Sequence, residues 1–150
     1  MYDTSPASDS YKDGVAAYSG GNYEKAADLF AKAYETDDDI RGLTALYDMR
    51  DWFVQKANTG DSEAIDRLLK IADWLANNIY NYADFGESDI PSLGNKAQEL
   101  YEAAAQFGNT DAAKKMYSLA LKFPADSEFF QKWMQRAAEL GSEDAKTFVH

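Results

Sequence analysis

A thirteen-residue helical template recurs along this chain, and its spacing limits the possible folds more than any other feature. Lys96 to Gly108, KAQELYEAAAQFG, overlies Phe129 to Gly141, FFQKWMQRAAELG, after a shift of 33 places. Leu100 then falls on Trp133, Tyr101 on Met134, Ala104 and Ala105 on Ala137 and Ala138, and Gly108 on Gly141. The sequences that follow agree as well, because Gly108 and Gly141 each precede an alanine four places later, Ala112 and Ala145. Small residues at fixed places let two helices approach closely, and glycine permits the left-handed turn that ends a helix. The pattern predicts helix pairs packed side by side.

The template fits twice more. Over Asp48 to Gly60 it puts Trp52 and Phe53 at the large apolar pair and Ala57 at the second small position, with Lys56 where an alanine is expected. Over Lys25 to Asp37 it aligns Ala26, Leu29, Phe30 and Ala33, but Tyr34 replaces an alanine and Asp37 the glycine. Successive template ends lie 23, 48 and 33 residues apart, and the last step is near the period of a two-helix repeat.

Lys-Ala, a large apolar pair, small residues, a helix-ending glycine and an alanine four places on are together similar to the Sel-one-like repeat, a relative of the tetratricopeptide repeat. Lys96 to Gly108 and Trp133 to Ala145 carry this resemblance best, while Gly14 to Ala33, with its Gly20-Gly21-Asn22-Tyr23 turn, looks more like a plain tetratricopeptide unit. The chain departs from the family at Asp37, in a short second unit, and around Asp84, where the usual Gly-x-Gly-Val is missing. The resemblance points to a bacterial protein and implies an all-α fold, a short right-handed solenoid of stacked antiparallel helix hairpins. The hairpins are expected at about 8–36, 38–59, 61–108 and 110–141, with an insertion over 80–92 and a closing helix over 142–149 anchored by Phe148. Residues 1–7 are expected as a flexible segment before a single domain over 8–150.

Composition agrees. A chain of 150 residues forms one domain and buries roughly 68–70% of the surface that its unfolded form exposes. Ala, Leu, Glu and Lys are frequent and there are only 3 prolines, which favours helix over strand. Without cysteine there is no disulfide framework and no thiolate zinc site. No apolar run approaches the roughly 20 residues that cross a membrane, so no membrane insertion is expected. Tyr2 to Ser10 lacks the basic start and apolar middle of an export signal. A short Ser, Thr, Pro and Ala stretch suits both an ordinary terminus and the remainder of a trimmed export signal, which leaves bacterial cytoplasm and periplasm open.

Charge narrows the partners. The 15 basic and 26 acidic residues give a formal charge of −11, a surface that repels phosphate backbones and makes nucleic acid an unsuitable ligand. A cationic protein would be steered toward it, although net charge also serves solubility alone.

The catalytic inventory is poor. His150 is the single histidine, and no nucleophile, base and orienting group stand at a recognisable spacing. Asp84-Phe85-Gly86 copies the magnesium-binding triplet of protein kinases, but the Gly-rich and catalytic loops of that fold are missing. Asp37-Asp38-Asp39 precedes a helical pattern, where carboxylates act as caps, and no second cluster at ligand spacing accompanies it. No enzyme activity, metal or cofactor is expected.

Two functions compete. One is a non-catalytic scaffold or adaptor whose concave face holds a protein or peptide, as the resembled family implies. The other is an immunity or inhibitor protein that neutralises a bacterial toxin by occluding its active site, a role suited to a small acidic unit with a protruding aromatic and acidic loop. If the first helix of each hairpin lines the inner face, Tyr47, Arg67, Lys70, Trp74 and Tyr117 are contact candidates. Tyr80, Tyr82, Asp84, Phe85 and Glu87 join them from the insertion, which combines aromatics and carboxylates without helical period and is expected as a loop.

Overall fold

Helix starts are written into this chain as single polar residues. Ser8, Asn22, Asp39, Asp61, Ser127 and Ser142 each accept a backbone N–H from the first turn of the helix that follows. These begin α1 (Asp9–Ser19), α2 (Tyr23–Glu35), α3 (Ile40–Asp48), α5 (Ser62–Asn77), α8 (Glu128–Glu139) and α9 (Glu143–Lys146). Between them lie α4 (Arg50–Asn58), α6 (Pro91–Gln106), which opens on a proline that needs no N–H partner, and α7 (Asp111–Ala120). The computed structural model describes residues 6–149, so most of the expected 1–7 segment, and His150, lie outside the described residues. Among the described residues there is no strand.

The repeated glycine has a physical cause. Gly60, Gly108 and Gly141 stand at φ +94°, +89° and +110°, the left-handed region, just past α4, α6 and α8. The next residue in each case, Asp61, Asn109 or Ser142, donates its N–H to a carbonyl five places back, at 3.2, 3.1 and 2.9 Å. Its side chain then caps the following helix; for Asn109, Oδ1 accepts from Asp111 and Ala112. One residue therefore closes one helix and opens the next. In the degenerate copy the left-handed residue is Asp38 at φ 56°, one place beyond the template end; Asp39 again closes and opens, but its N–H reaches the Ala33 carbonyl six places back, at 2.8 Å.

Consecutive helices pack on one another throughout, with one exception. That exception falls in the stretch expected as a hairpin over 38–59. Met49 alone joins α3 to α4, which make little contact with each other; α3 packs on α2 and α4 on α5. The core runs through the template positions: Phe30, Phe53, Tyr101 and Met134 are buried, as are Ala33, Ala57, Ala104 and Ala137. Trp133 is fully buried, with its ring 5.0 Å from Phe123 in edge-on contact.

The insertion is not the aperiodic loop that the sequence suggests. Residues Ile79–Phe85 form a 3-10 segment, interrupted in its dihedrals at Asn81 and ended by Gly86 at φ 77°. Side chains three apart eclipse in such a helix, which turns Tyr82 and Phe85, both past Asn81, to one side. Ile79 and Phe85 are buried and Tyr82 packs against the core. At the other end, α9 is shorter than the expected closing helix, and Ala145 is its buried residue; Phe148 stays 47% exposed, resting on Tyr117 and Phe130.

Candidate protein-binding groove

Two helix faces that do not pack directly on each other leave a groove between them. α2 presents Asp28, Ala31 and Glu35, and α5 presents Glu63, Asp66, Arg67, Lys70 and Trp74, each at three- and four-residue steps that keep them on one face. Leu46 of α3, Phe53 of α4 and Ile71 form an apolar floor, and the groove holds about 320 Å³. Past Phe53, Glu63 and Arg67 it continues as a shallow extension lined by Trp52, Lys56, Glu24 and Asp61.

Its rim is preset by ion pairs. Arg67 bonds Asp28 across the groove and lies 3.8 Å from Glu63, while Lys70 reaches Glu35 at 3.4 Å. The Lys70 ammonium also stands 5.2 Å over the Trp74 ring. Trp74 also packs against Tyr34, ring centroids 5.0 Å apart, and the Tyr34 hydroxyl accepts from Asn78 at 2.7 Å. Asn78 donates to the Trp74 backbone carbonyl as well, so it ties the end of α5 to the Tyr34 ring that packs on the indole.

Of the ten contact candidates read from the sequence, Arg67, Lys70 and Trp74 come together here. The others do not. The Tyr47 ring lies 4.2 Å from the Arg50 guanidinium and 5.0 Å from the Lys96 ammonium, and its hydroxyl donates to Glu99 at 2.6 Å. Glu87 pairs with the same Lys96, which joins it to the Tyr47 cluster. Tyr80 is 63% exposed and donates to the Lys122 carbonyl at 2.6 Å. Asp84 is exposed beside a cleft that it shares with Tyr11 and Asp48, Tyr82 and Phe85 turn toward the core, and Tyr117 lies at the far end against Phe148.

Sequence reasoning missed Asp28, Glu35, Phe53 and Asp66 as groove residues. Their signal was present as the spacing of Asp28, Ala31 and Glu35 on a helix whose other face carries Ala26, Ala27, Phe30 and Ala33. A second missed feature is an aromatic file at the surface, Tyr18 to Tyr23 at 5.0 Å and Tyr23 to Trp52 at 6.4 Å.

Three titratable groups have pKa values shifted by their surroundings. Burial first, then the bond to Glu99, raises Tyr47, and burial with the bond to Asp73 raises Tyr101. Burial would raise Asp39, but four hydrogen bonds from Ser8 and Arg41 take it below the usual carboxylate value. Among the described residues no group of three or more His, Cys, Asp or Glu could hold a metal ion, and no helix is long and apolar enough to cross a membrane. Compared with protein-family models, with curated proteins and with solved structures, the chain matches none.

Proposed function

We propose that this protein is a non-catalytic interaction module, a helical-repeat scaffold or adaptor of the Sel-one-like kind, which holds a protein or peptide in the α2–α5 groove. In this reading the helices stack as a short right-handed solenoid, an architecture whose extended concave surfaces are used for binding. The observation that carries it is the groove itself: an apolar floor, an indole packed on the Tyr34 ring whose hydroxyl Asn78 holds, and a charged rim. A rigid aromatic in an apolar recess ringed by polar groups is the usual anchor of a protein interface.

The acidic rim and the charge of −11 also favour the inhibitor reading, in which the partner is a cationic bacterial toxin. Affinity capture from a lysate of the source organism, done in parallel with wild type and Trp74→Ala, tests both. Partners retained by wild type and lost by the variant support the module. One partner, toxic when expressed alone and released very slowly, selects the inhibitor; several partners at about micromolar strength select the adaptor. Retention that ignores Trp74 overturns the groove as the site.

A further inference from the structure

We infer that the α2–α5 groove receives a cationic amphipathic segment of its partner, with an apolar side chain over Trp74 and Ile71 and a Lys or Arg beside Asp66, a specificity that rests on the interaction-module function proposed above. The charges on the rim decide the sign. Four carboxylates, Asp28, Glu35, Glu63 and Asp66, face two cations, Arg67 and Lys70. Both cations are committed, Arg67 to Asp28 and Lys70 to Glu35. Asp66 is exposed and has no ion pair among the described residues, and Glu63 touches Arg67 only at 3.8 Å while its side chain is 73% exposed.

An anionic guest would have to break the existing pairs and approach a protein of charge −11. A guanidinium or ammonium instead completes Asp66 and shares Glu63 without displacing anything. The shallow extension adds the carboxylates of Glu24 and Asp61 against Lys56, which keeps the acidic character along its length. Such an open, elongated recess suits a stretch of chain.

Geometry sets the spacing of the two features. Asp66 and Trp74 are eight residues apart on α5, about 12 Å along the axis. The basic and apolar side chains of the guest should therefore lie about two turns apart in a helical segment, or roughly four residues apart in an extended one.

Selection of phage-displayed random short peptides on the intact protein tests this, followed by fluorescence anisotropy of the enriched peptides. Three variants accompany wild type: Trp74→Ala, Asp66→Lys, and Asp126→Lys, which makes the same charge change at an exposed site outside any ion pair among the described residues. Peptides that carry Lys or Arg and an apolar residue at this spacing are expected. Asp66→Lys should weaken them about tenfold or more, while Asp126→Lys leaves Kd within about twofold. Circular dichroism checks that each variant is folded. Enriched peptides that are acidic or neutral, or equal effects of Asp66→Lys and Asp126→Lys, overturn the cationic specificity; if those peptides are still lost on Trp74→Ala, the groove stands as the docking site. Binding that ignores Trp74, or no enrichment at all, overturns the inference, and the former removes the groove from the proposed function too.

Discussion

The carboxylate of Asp39 holds the start of α1 from the N-terminus of α3: its Oδ2 accepts from both the amide and the hydroxyl of Ser8, each at 2.9 Å. Oδ1 meanwhile accepts from the Arg41 amide at 3.2 Å and the Arg41 Nε at 2.7 Å, so one buried side chain caps its own helix and fixes another 31 residues away. Asp39→Asn is expected to cost about 2–3 kcal/mol near neutral pH, because charge-assisted bonds are lost and buried donors are left without a partner. The carboxyl has a lowered pKa in the folded state, so its contribution is complete above the unfolded value of about 3.9 and fades as pH falls below it. Urea unfolding of wild type and variant between pH 7 and about pH 2 should show curves that converge at the acid end. A constant gap would mean that the charge on Asp39 is not what stabilises this junction.

Gly42 marks where α3 crosses α2. A Cβ built there would lie 2.3 Å from the carbonyl oxygen of Phe30 and 3.0 Å from the Cβ of Ala33. Backbone cannot step aside as a side-chain end can. Gly42→Ala should therefore destabilise by about 1–3 kcal/mol through overpacking, although alanine has the better helix propensity by about 1 kcal/mol. The same urea experiment measures it, and a gain in stability would show that the two helices relax apart.

Much of this fold is legible in residues that serve two neighbours at once. The glycine and the polar residue after it, at Gly60-Asp61, Gly108-Asn109 and Gly141-Ser142, encode a closure and a cap together, and local chemistry of that kind survives any tertiary context. Gly42 was legible only as a weak helix residue, since its use depends on which backbone crosses it. Ile79, Tyr82 and Phe85 carry a period of three, which a search for 3.6 or 2 does not detect. The break at Met49 has no glycine or proline to announce it. Trp74 is not among the buried residues of α5, whereas Asp28 and Asp66 look like any solvated carboxylates until two helices are set side by side.

Asp84 and Glu87 are close in sequence but differ in attachment. Asp84 is exposed with no ion pair among the described residues, while Glu87 is half-buried and bonded to Lys96, whose ammonium lies over Tyr47. Reversing both charges together would mix two effects. Asp84→Lys alone should leave stability within about 0.5 kcal/mol. Glu87→Lys removes an ion pair and sets two ammonium groups against each other, a loss of up to about 1 kcal/mol that added salt reduces. Melting curves at low and high salt separate the two; equal behaviour would detach Glu87 from the Tyr47 cluster.

Tyr101 gives the protein an alkaline limit. It is 2% exposed, and its hydroxyl donates at 2.7 Å to Asp73 Oδ1, while Asp73 Oδ2 accepts from Lys115 at 2.8 Å. Burial first, then the bond to the Asp73 carboxylate and its negative charge, raises the phenol far above its ordinary value. In the unfolded chain the same phenol titrates near about pH 10. Below that pH both states keep the proton and the contribution is complete. Above it the unfolded state releases a proton that the folded state retains, so stability falls by about 1.4 kcal/mol per pH unit for this one group. Other groups titrate in the same range, and Tyr101→Phe isolates the share that belongs to Tyr101. The variant should lose about 1 kcal/mol near neutral pH with the hydrogen bond. It should also descend less steeply above about pH 10.5, by the slope of one proton, so that the two urea-derived curves approach each other. Parallel curves would place the alkaline sensitivity elsewhere, with the half-buried Tyr47 and its bond to Glu99 as the next residue to change.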